Sequence, residues 1–214
     1  MELGQRSWVA AYRVFFAGLT LVAIVYQMIF SNHEFEQFRI SNFFSFFTIE
    51  SNIIALVVLA LFGLRRSTSA TQSLELLRGA AVLYMATTGV VYGLLLSGYT
   101  EGLDTTLPWV NNVVHRIMPL VLVADWLINP PAVRVAFRTA LVWLIFPIVF
   151  LVYSLIRGPI VDWYPYPFLN PDDVGGYGGV ALYCVGIAVF IVAMTWLVVW
   201  VGDHLRLAGR PNRV

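Results

Sequence analysis

The sequence contains few charged residues, one cysteine and no lysine. Only 12% of its 214 residues are charged and 59% are hydrophobic, whereas a soluble domain is typically about half apolar and about a quarter charged. These proportions exclude a soluble globular domain, a disordered chain and a collagen-like fibre. Because Cys184 has no second cysteine to pair with, a small domain stabilised by intrachain disulfides is excluded as well.

The basic residues are also restricted in type, since all 13 of them are arginine. The absence of lysine excludes Schiff-base chemistry and a lysine general base. The formal net charge of +1 provides no basic surface for a polyanion. We therefore expect no nucleic-acid partner.

Long apolar runs dominate the rest of the sequence. A helix needs about 20 apolar residues to cross the hydrocarbon core of a membrane. Six stretches qualify or nearly do: residues 8–30, 42–64, 76–97, 110–128, 134–156 and 177–201. Backbone groups in a bilayer must be hydrogen-bonded internally, and these runs lack the alternation of barrel strands. The sequence therefore predicts an all-α, polytopic membrane helix bundle with six transmembrane helices, forming a single integral membrane domain over residues 1–214.

The distribution of charge between the predicted loops indicates the orientation. Arginines flank the spans on one side: Arg6, Arg65, Arg66, Arg134, Arg138, Arg206, Arg210 and Arg213. Acidic residues dominate the other side: Glu34, Glu36, Glu101, Asp104, Asp162, Asp172 and Asp173. Since basic residues favour the cytoplasmic side, we expect both termini to be cytoplasmic. Arg13 and Arg78 are predicted near inner helix ends, where long side chains can reach the interface.

Polar residues inside a membrane span are energetically costly, so they mark candidate sites. Those that stand out are Thr48, Glu50 and Asn52 in the second span and Asn111, Asn112, His115, Arg116 and Asp125 in the fourth. Thr48 and His115 each lie roughly 8 to 9 Å from the outer end of their span, at the helical rise of about 1.5 Å per residue. If these two spans face each other, the two side chains meet at one level.

A threonine hydroxyl beside a histidine is the smallest pair of groups that supports nucleophilic catalysis. The hydroxyl is a weak nucleophile until a base takes its proton, and histidine titrates near neutrality. Glu50 points about 200° around the helix from Thr48, so a dyad is a simpler hypothesis than a triad. The structural alternative is that Thr48 bonds a carbonyl of its own helix, as membrane threonines usually do, and that His115 is a structural hydrogen bonder.

Four further side chains near this pair are candidates for binding the substrate or stabilising an oxyanion. They are Asn52, Asn111, Asn112 and Arg116. The three histidines and the single cysteine are too dispersed to form a coordination shell. We therefore expect no metal ion at the site and no cofactor.

The two intramembrane carboxylates, Glu50 and Asp125, need cationic partners, because an isolated charge is costly in a membrane. The candidate partners are Arg39 and Arg116 for Glu50, and Arg78 and Arg138 for Asp125. Pairs of this kind are more often structural than catalytic.

The connection before the sixth span, residues 157–176, contains four prolines and the aromatic run WYPYPF at residues 163–168. Prolines oppose a regular helix, and tryptophan and tyrosine favour the membrane interface. The run is consistent either with an interface anchor or with a lid over a cavity that faces outward.

Several segments together resemble a bacterial family of small six-span membrane proteins. They are FFSFFTIESN at 43–52, LRGAAV at 77–82, TGVVY at 88–92, NNVVH at 111–115, ADW at 124–126 and WYPYPF at 163–168. That family is distantly similar to the eukaryotic family of the androgen-induced protein and the androgen-dependent regulator of tissue factor pathway inhibitor. The eukaryotic proteins are threonine hydrolases of fatty acid esters of hydroxy fatty acids. The resemblance implies that Thr48 is the nucleophile and His115 the base.

The resemblance and the polar residues together predict a lipid-ester hydrolase that acts near the outer leaflet of a bacterial cytoplasmic membrane. The expected partners are a lipid or acyl-ester substrate and the surrounding membrane lipids, while the oligomeric state stays open. The alternatives are a non-enzymatic binder or carrier of a small lipid and a scaffold protein without a cavity.

Overall fold

The computed structural model describes residues 3–65, 71–98 and 107–208, and this part of the chain folds into helices without any strand. The α-helices are α1 (Leu3–Glu34), α2 (Ile40–Phe43), α3 (Phe47–Leu64), α4 (Gln72–Val91), α5 (Pro108–Asn112), α6 (Met118–Ile128), α7 (Phe137–Ala140), α8 (Ile145–Val161) and α9 (Tyr177–Ala208). Wider π turns occur at Tyr92–Leu96 and Val113–Ile117, and tighter 3-10 turns at Leu141–Leu144 and Pro167–Leu169. The predicted all-α class is confirmed for these residues.

Within the described residues, five helical segments are long and apolar enough to cross a membrane. They are Ser7–Glu34, Phe47–Leu64, Gln72–Leu96, Phe137–Val161 and Tyr177–Ala208. The remaining predicted span, around residues 110–128, is helical throughout but is not among the five. Its histidine, arginine and aspartate reduce the hydropathy on which such an assignment rests.

The second span begins later than the sequence predicts, at Phe47 rather than at residue 42. The N–H of Ser45 donates to the carbonyl of Asn42 at 2.9 Å and closes a tight turn after α2. Phe46 then adopts an extended conformation, and its ring packs against Trp163 and Tyr166. Because of this break, Thr48 lies in the first turn of α3 instead of deeper in a continuous helix.

Some of the charges used to predict the orientation fall on residues whose structure is not described. Arg66, Glu101, Asp104, Arg210 and Arg213 lie outside the described residues. The cytoplasmic placement of the termini therefore stays a prediction.

Helix α4 lies at the centre of the bundle and packs against α3, α6 and α9, while α1 runs along α3. Small residues on α4 allow this close packing. Gly79 is in contact with the indole of Trp143, so that even a methyl group at this position would collide with the ring. The rigid packing of α4 places α3 and the segment 108–128 on neighbouring faces.

The connection between α8 and α9 folds back into the bundle. Asp162 ends α8 in a left-handed conformation, and Tyr166, Phe168 and Leu169 are then buried. Gly175 and Gly176 have φ angles of 76° and 91°, which side chains with a Cβ adopt at a steric cost. These two glycines turn the chain into α9.

Candidate functional site

Thr48 and His115 meet inside the bundle. The Oγ1 atom of Thr48 lies 3.2 Å from Nε2 of His115, and both side chains are buried. Thr48 comes from the first turn of α3, and His115 comes from the π turn between α5 and α6. The two predicted site residues are thus within hydrogen-bonding distance, which is the geometry that a nucleophile and a base require.

The surroundings of the imidazole determine which nitrogen carries the proton. Nδ1 of His115 lies 3.3 Å from the backbone oxygen of Asn111. A carbonyl oxygen only accepts, so in the neutral ring Nδ1 bears the hydrogen and Nε2 is the free acceptor that faces Thr48. The contact involves the backbone of Asn111, which lies in α5 just before the π turn, and not its side chain.

The side chain of Asn111 acts instead on Tyr92. Its amide nitrogen donates to the Tyr92 hydroxyl at 2.7 Å, and the Tyr92 ring stacks on the imidazole of His115 at a centroid distance of 4.2 Å. Asn111 and Tyr92 therefore hold the histidine ring from one face and from its Nδ1 edge.

Asn52 connects the two helices of the pair. Its amide nitrogen donates to the backbone oxygen of Thr48 at 2.8 Å and to that of Val114 at 3.0 Å. Both amide protons are consumed in this way. Asn52 therefore fixes α3 against the π turn, and it has no proton left for an oxyanion.

Arg116 and Asn112 are not brought to Thr48. Arg116 is exposed, and its Nη1 donates to Oδ1 of Asn112 at 2.9 Å. Its guanidinium lies 5.8 Å from the centre of the Tyr92 ring. Glu50 forms no ion pair with any described residue, so its expected pairing with Arg116 or Arg39 is not observed.

Tyr166, which the sequence did not single out, completes the surroundings of Thr48. Its hydroxyl oxygen accepts from the backbone N–H of Thr48 at 3.2 Å and lies 3.4 Å from Oγ1. It belongs to the aromatic run at 163–168, but nothing in that run indicates which of its rings enters the bundle. We call Thr48, Tyr92, His115 and Tyr166 the Thr48 cluster.

A cavity of about 170 Å³ lies next to Thr48. Its wall is almost entirely apolar and includes Phe47, Val91, Leu144, Phe150, Phe168, Leu169 and Ile187. The hydroxyls of Thr87 and Thr88 also line it, and neither has a hydrogen-bond partner among the described residues. Apolar cavities of about 150 Å³ in proteins stay dry and take up small apolar molecules.

The cavity opens sideways. Ile148 of α8 and Val192 of α9 line it and are also exposed on the outer surface of the bundle. The loop residues Tyr166, Phe168 and Leu169 form another part of its wall. The connection between α8 and α9 therefore contributes directly to the cavity.

A second polar cluster lies elsewhere in the bundle. It contains Arg78, one of the two predicted partners of Asp125, and adds Arg13, which the sequence did not pair with Asp125. Asp125 binds Arg13 through two hydrogen bonds of 2.7 and 3.1 Å, and Arg78 lies 4.0 Å away. Arg13 is buried rather than extended to the interface, and the exposed Arg138 takes no part. Glu75 and Arg78 form a further ion pair at 3.4 Å. We call Arg13, Glu75, Arg78 and Asp125 the Asp125 cluster.

Among the described residues, no group of three histidine, cysteine or acidic side chains is close enough to hold a metal ion. Comparisons with known proteins find no protein family, no curated protein and no solved structure that matches the chain.

Proposed function

We propose that this chain is a membrane-embedded lipid-ester hydrolase in which Thr48 is the nucleophile and His115 the base. The observation that carries the proposal is the 3.2 Å contact between Oγ1 of Thr48 and Nε2 of His115. The alternative role for a membrane threonine, a bond from its hydroxyl to its own helix, is not present, because Oγ1 faces His115 and Tyr166.

In the proposed reaction, Nε2 of His115 takes the proton of the Thr48 hydroxyl as Oγ1 bonds to the ester carbonyl carbon. The tetrahedral intermediate then expels the alcohol, which leaves with the proton from His115. A water molecule next attacks the acyl-threonine while His115 accepts its proton. His115 finally returns that proton to Thr48, and the carboxylic acid is released.

The cavity indicates the class of substrate. None of the described residues that line it is charged, so they offer no partner to a phosphate or another charged group. Its apolar wall suits a hydrocarbon chain, and its sideways opening lets such a chain enter from the bilayer. We therefore propose a carboxylic ester with an aliphatic chain, of which the fatty acid esters of hydroxy fatty acids are the class implied by the family resemblance.

We further propose that the helical segment Pro108–Ile128 is a sixth span, with both termini in the cytoplasm of a bacterial cell. Each of its two charged residues has a polar partner: the exposed Arg116 donates to Oδ1 of Asn112 one turn earlier, and Asp125 is neutralised by Arg13. In this arrangement the Thr48 cluster lies in the outer half of the membrane and the Asp125 cluster in the inner half.

The test combines turnover with covalent labelling of the purified protein. Wild type should hydrolyse a fluorogenic long-chain ester and react with a fluorophosphonate probe, whereas Thr48→Ala should do neither. Thr20→Ala is the matched control, since Thr20 is also a buried threonine but bonds the Phe16 carbonyl of its own helix.

Equal turnover by wild type and Thr48→Ala contradicts the proposal. If a lipid co-purifies with both proteins and neither turns it over, the chain is a lipid carrier instead.

A further inference from the structure

We propose that the hydroxyl of Tyr166 stabilises the oxyanion formed when Thr48 attacks the ester. The inference rests on the proposed function, because it assigns a further catalytic residue to the same reaction. It also gives the connection between α8 and α9 a chemical role in addition to its place in the cavity wall.

The position of the hydroxyl supports this assignment. Its oxygen lies 3.4 Å from Oγ1 of Thr48 and accepts the Thr48 N–H at 3.2 Å. The oxyanion of the intermediate is separated from Oγ1 by only two bonds, so a donor at this distance can reach it. Oxyanion stabilisation requires a donor about 2.7 to 3.1 Å from the developing charge.

The proton of the hydroxyl is available for this purpose. The Tyr166 oxygen already accepts from the Thr48 backbone, and the Thr48 proton is directed to Nε2 of His115. The Tyr166 proton therefore points toward Oγ1 or into the cavity. Burial raises the pKa of Tyr166 to about 12, so the hydroxyl keeps its proton at neutral pH.

The ring is held rigidly, as a preorganised donor must be. Tyr166 is buried, and its ring packs on Phe168 at 5.1 Å, Phe46 at 5.7 Å and Phe150 at 6.2 Å. These contacts come from the loop, from the residue before α3 and from α8. The hydroxyl position is therefore fixed by three parts of the fold.

The other donors expected from the sequence are already engaged. Asn52 uses both amide protons on backbone oxygens, and Arg116 binds Asn112 on the exposed side of its helix. Tyr166 is the side chain besides His115 that the described structure places within hydrogen-bonding distance of Thr48 Oγ1.

The role fits one step of the reaction. When Oγ1 bonds to the carbonyl carbon, the electron pair of the carbonyl π bond moves to its oxygen, and the Thr48 proton moves to His115. The negatively charged oxygen then accepts a hydrogen bond from Tyr166 without taking its proton. When the alcohol leaves, the carbonyl re-forms and the bond weakens again.

Tyr166→Phe tests the proposal, because it removes the hydroxyl and keeps the ring. We expect kcat for ester hydrolysis to fall about 100-fold or more, with KM changed by less than about threefold because the interaction is made in the transition state. A long-chain alkyl trifluoromethyl ketone, which forms a tetrahedral adduct with the nucleophile, should lose affinity by a similar factor of about 100.

Tyr84→Phe is the matched control. Its hydroxyl is also buried and donates to the Trp143 carbonyl at 2.8 Å, but it does not line the cavity. This variant should keep the wild-type kcat and ketone affinity. Thr48→Ala separates the two proposals, since its full activity contradicts the hydrolase itself, whatever the Tyr166 result.

If Thr48→Ala is inactive, three results for Tyr166→Phe overturn the oxyanion role. The first is a kcat within about threefold of wild type. The second is a KM that rises by the same factor as the affinity for the ketone falls, because the hydroxyl then contributes equally to binding the substrate and the tetrahedral adduct. The third is a higher kcat, which means that the Tyr166 oxygen occupies the carbonyl position and blocks the site.

Discussion

The Asp125 cluster and the Thr48 cluster, both buried in the described part of the bundle, have opposite properties. The Asp125 cluster is made of full charges that neutralise one another, with two arginines and two carboxylates in contact. The Thr48 cluster contains no full charge at all when the imidazole is neutral, and it adjoins a cavity. The charges of the first cluster are paired within the protein, whereas the second cluster leaves space and hydroxyl groups for a ligand.

The contacts of the Asp125 cluster hold several helices together. Arg13 comes from α1, Arg78 and Glu75 from α4, and Asp125 from α6. Glu75 also accepts the N–H of Ala132 at 3.1 Å, and the Arg78 guanidinium lies 4.9 Å from the Trp126 ring centre. Buried charges that are paired in this way serve to position helices, and removing one partner leaves the other uncompensated.

Near the Thr48 cluster, the polar groups are not compensated in this way. The hydroxyls of Thr87 and Thr88 line the cavity, and neither has a hydrogen-bond partner among the described residues. A buried hydroxyl without a hydrogen bond costs about 1 to 3 kcal/mol. The comparison shows that the charged groups of the Asp125 cluster compensate one another, whereas neutral hydroxyl groups are left beside an open space near Thr48.

The largest expected effect is on turnover at the Thr48 cluster. His115→Ala should reduce kcat/KM for ester hydrolysis by roughly 10⁴-fold or more, because the nucleophile loses its base. Thr48→Ala combined with His115→Ala should be no worse than either change alone, since the two residues act as one unit. His204→Ala is the control, because that histidine stacks on Trp200 on the exposed side of α9. Additive losses would argue against a shared step.

The second effect is on stability at the Asp125 cluster. Asp125→Leu should lower the free energy of unfolding by about 3 to 5 kcal/mol, because Arg13 is left buried without its partner. The double change Arg13→Met with Asp125→Leu should recover most of this loss. Unfolding in mixed micelles measures both, and kcat of the folded fraction should be unchanged. A loss below about 1 kcal/mol for the single variant contradicts a structural role.

A smaller effect is expected where α4 packs next to the Asp125 cluster. Gly79→Ala should destabilise the protein by about 1 to 3 kcal/mol, because the added methyl group collides with the buried Trp143 ring. Gly186→Ala on α9 is the control, since its surroundings are open within 4 Å. If both variants have the same free energy of unfolding, the close contact between α4 and Trp143 is not needed for stability.

The smallest effect concerns the cavity itself, which can be tested by chemical modification of Cys184. This residue lines the cavity and is the one cysteine of the chain. A hexyl methanethiosulfonate should lower kcat/KM about tenfold by displacing roughly two methylene groups of the substrate, at about 0.8 kcal/mol each. The methyl reagent should have less effect, and neither reagent should alter the rate of Cys184→Ala. Equal rates with both reagents would place the acyl chain elsewhere.

Much of the architecture could be predicted from the sequence. The apolar runs correspond to helices, and the polar residues within them include both members of the Thr48–His115 pair. The break after α2 could not be predicted, because it depends on the packing of Phe46 against Trp163 and Tyr166 from a distant loop. For the same reason the sequence placed Thr48 within a continuous helix rather than in the first turn of α3.

Partners were predicted less well than positions. Arg13 was expected at the interface, yet it binds Asp125 across 112 residues of sequence. The sequence does not distinguish Tyr166 from the other aromatic residues of its loop, and its contact with Thr48 joins residues 118 apart in sequence. Neither contact follows from local spacing, because each depends on how the helices are rotated about their axes.

The sequence by itself determined that this is an all-helical chain with membrane-length apolar segments, and that few polar groups lie within them. These properties can be read by adding the hydropathies of neighbouring residues, since the cost of placing a side chain in hydrocarbon is set largely by its own polarity. Only the tertiary structure decided which polar groups meet. The rotation of α3 and the π turn brings Thr48 to His115, and the packing of α1, α4 and α6 brings Arg13 to Asp125. The charges of the Asp125 cluster thereby neutralise one another, whereas the Thr48 cluster is left open beside the cavity.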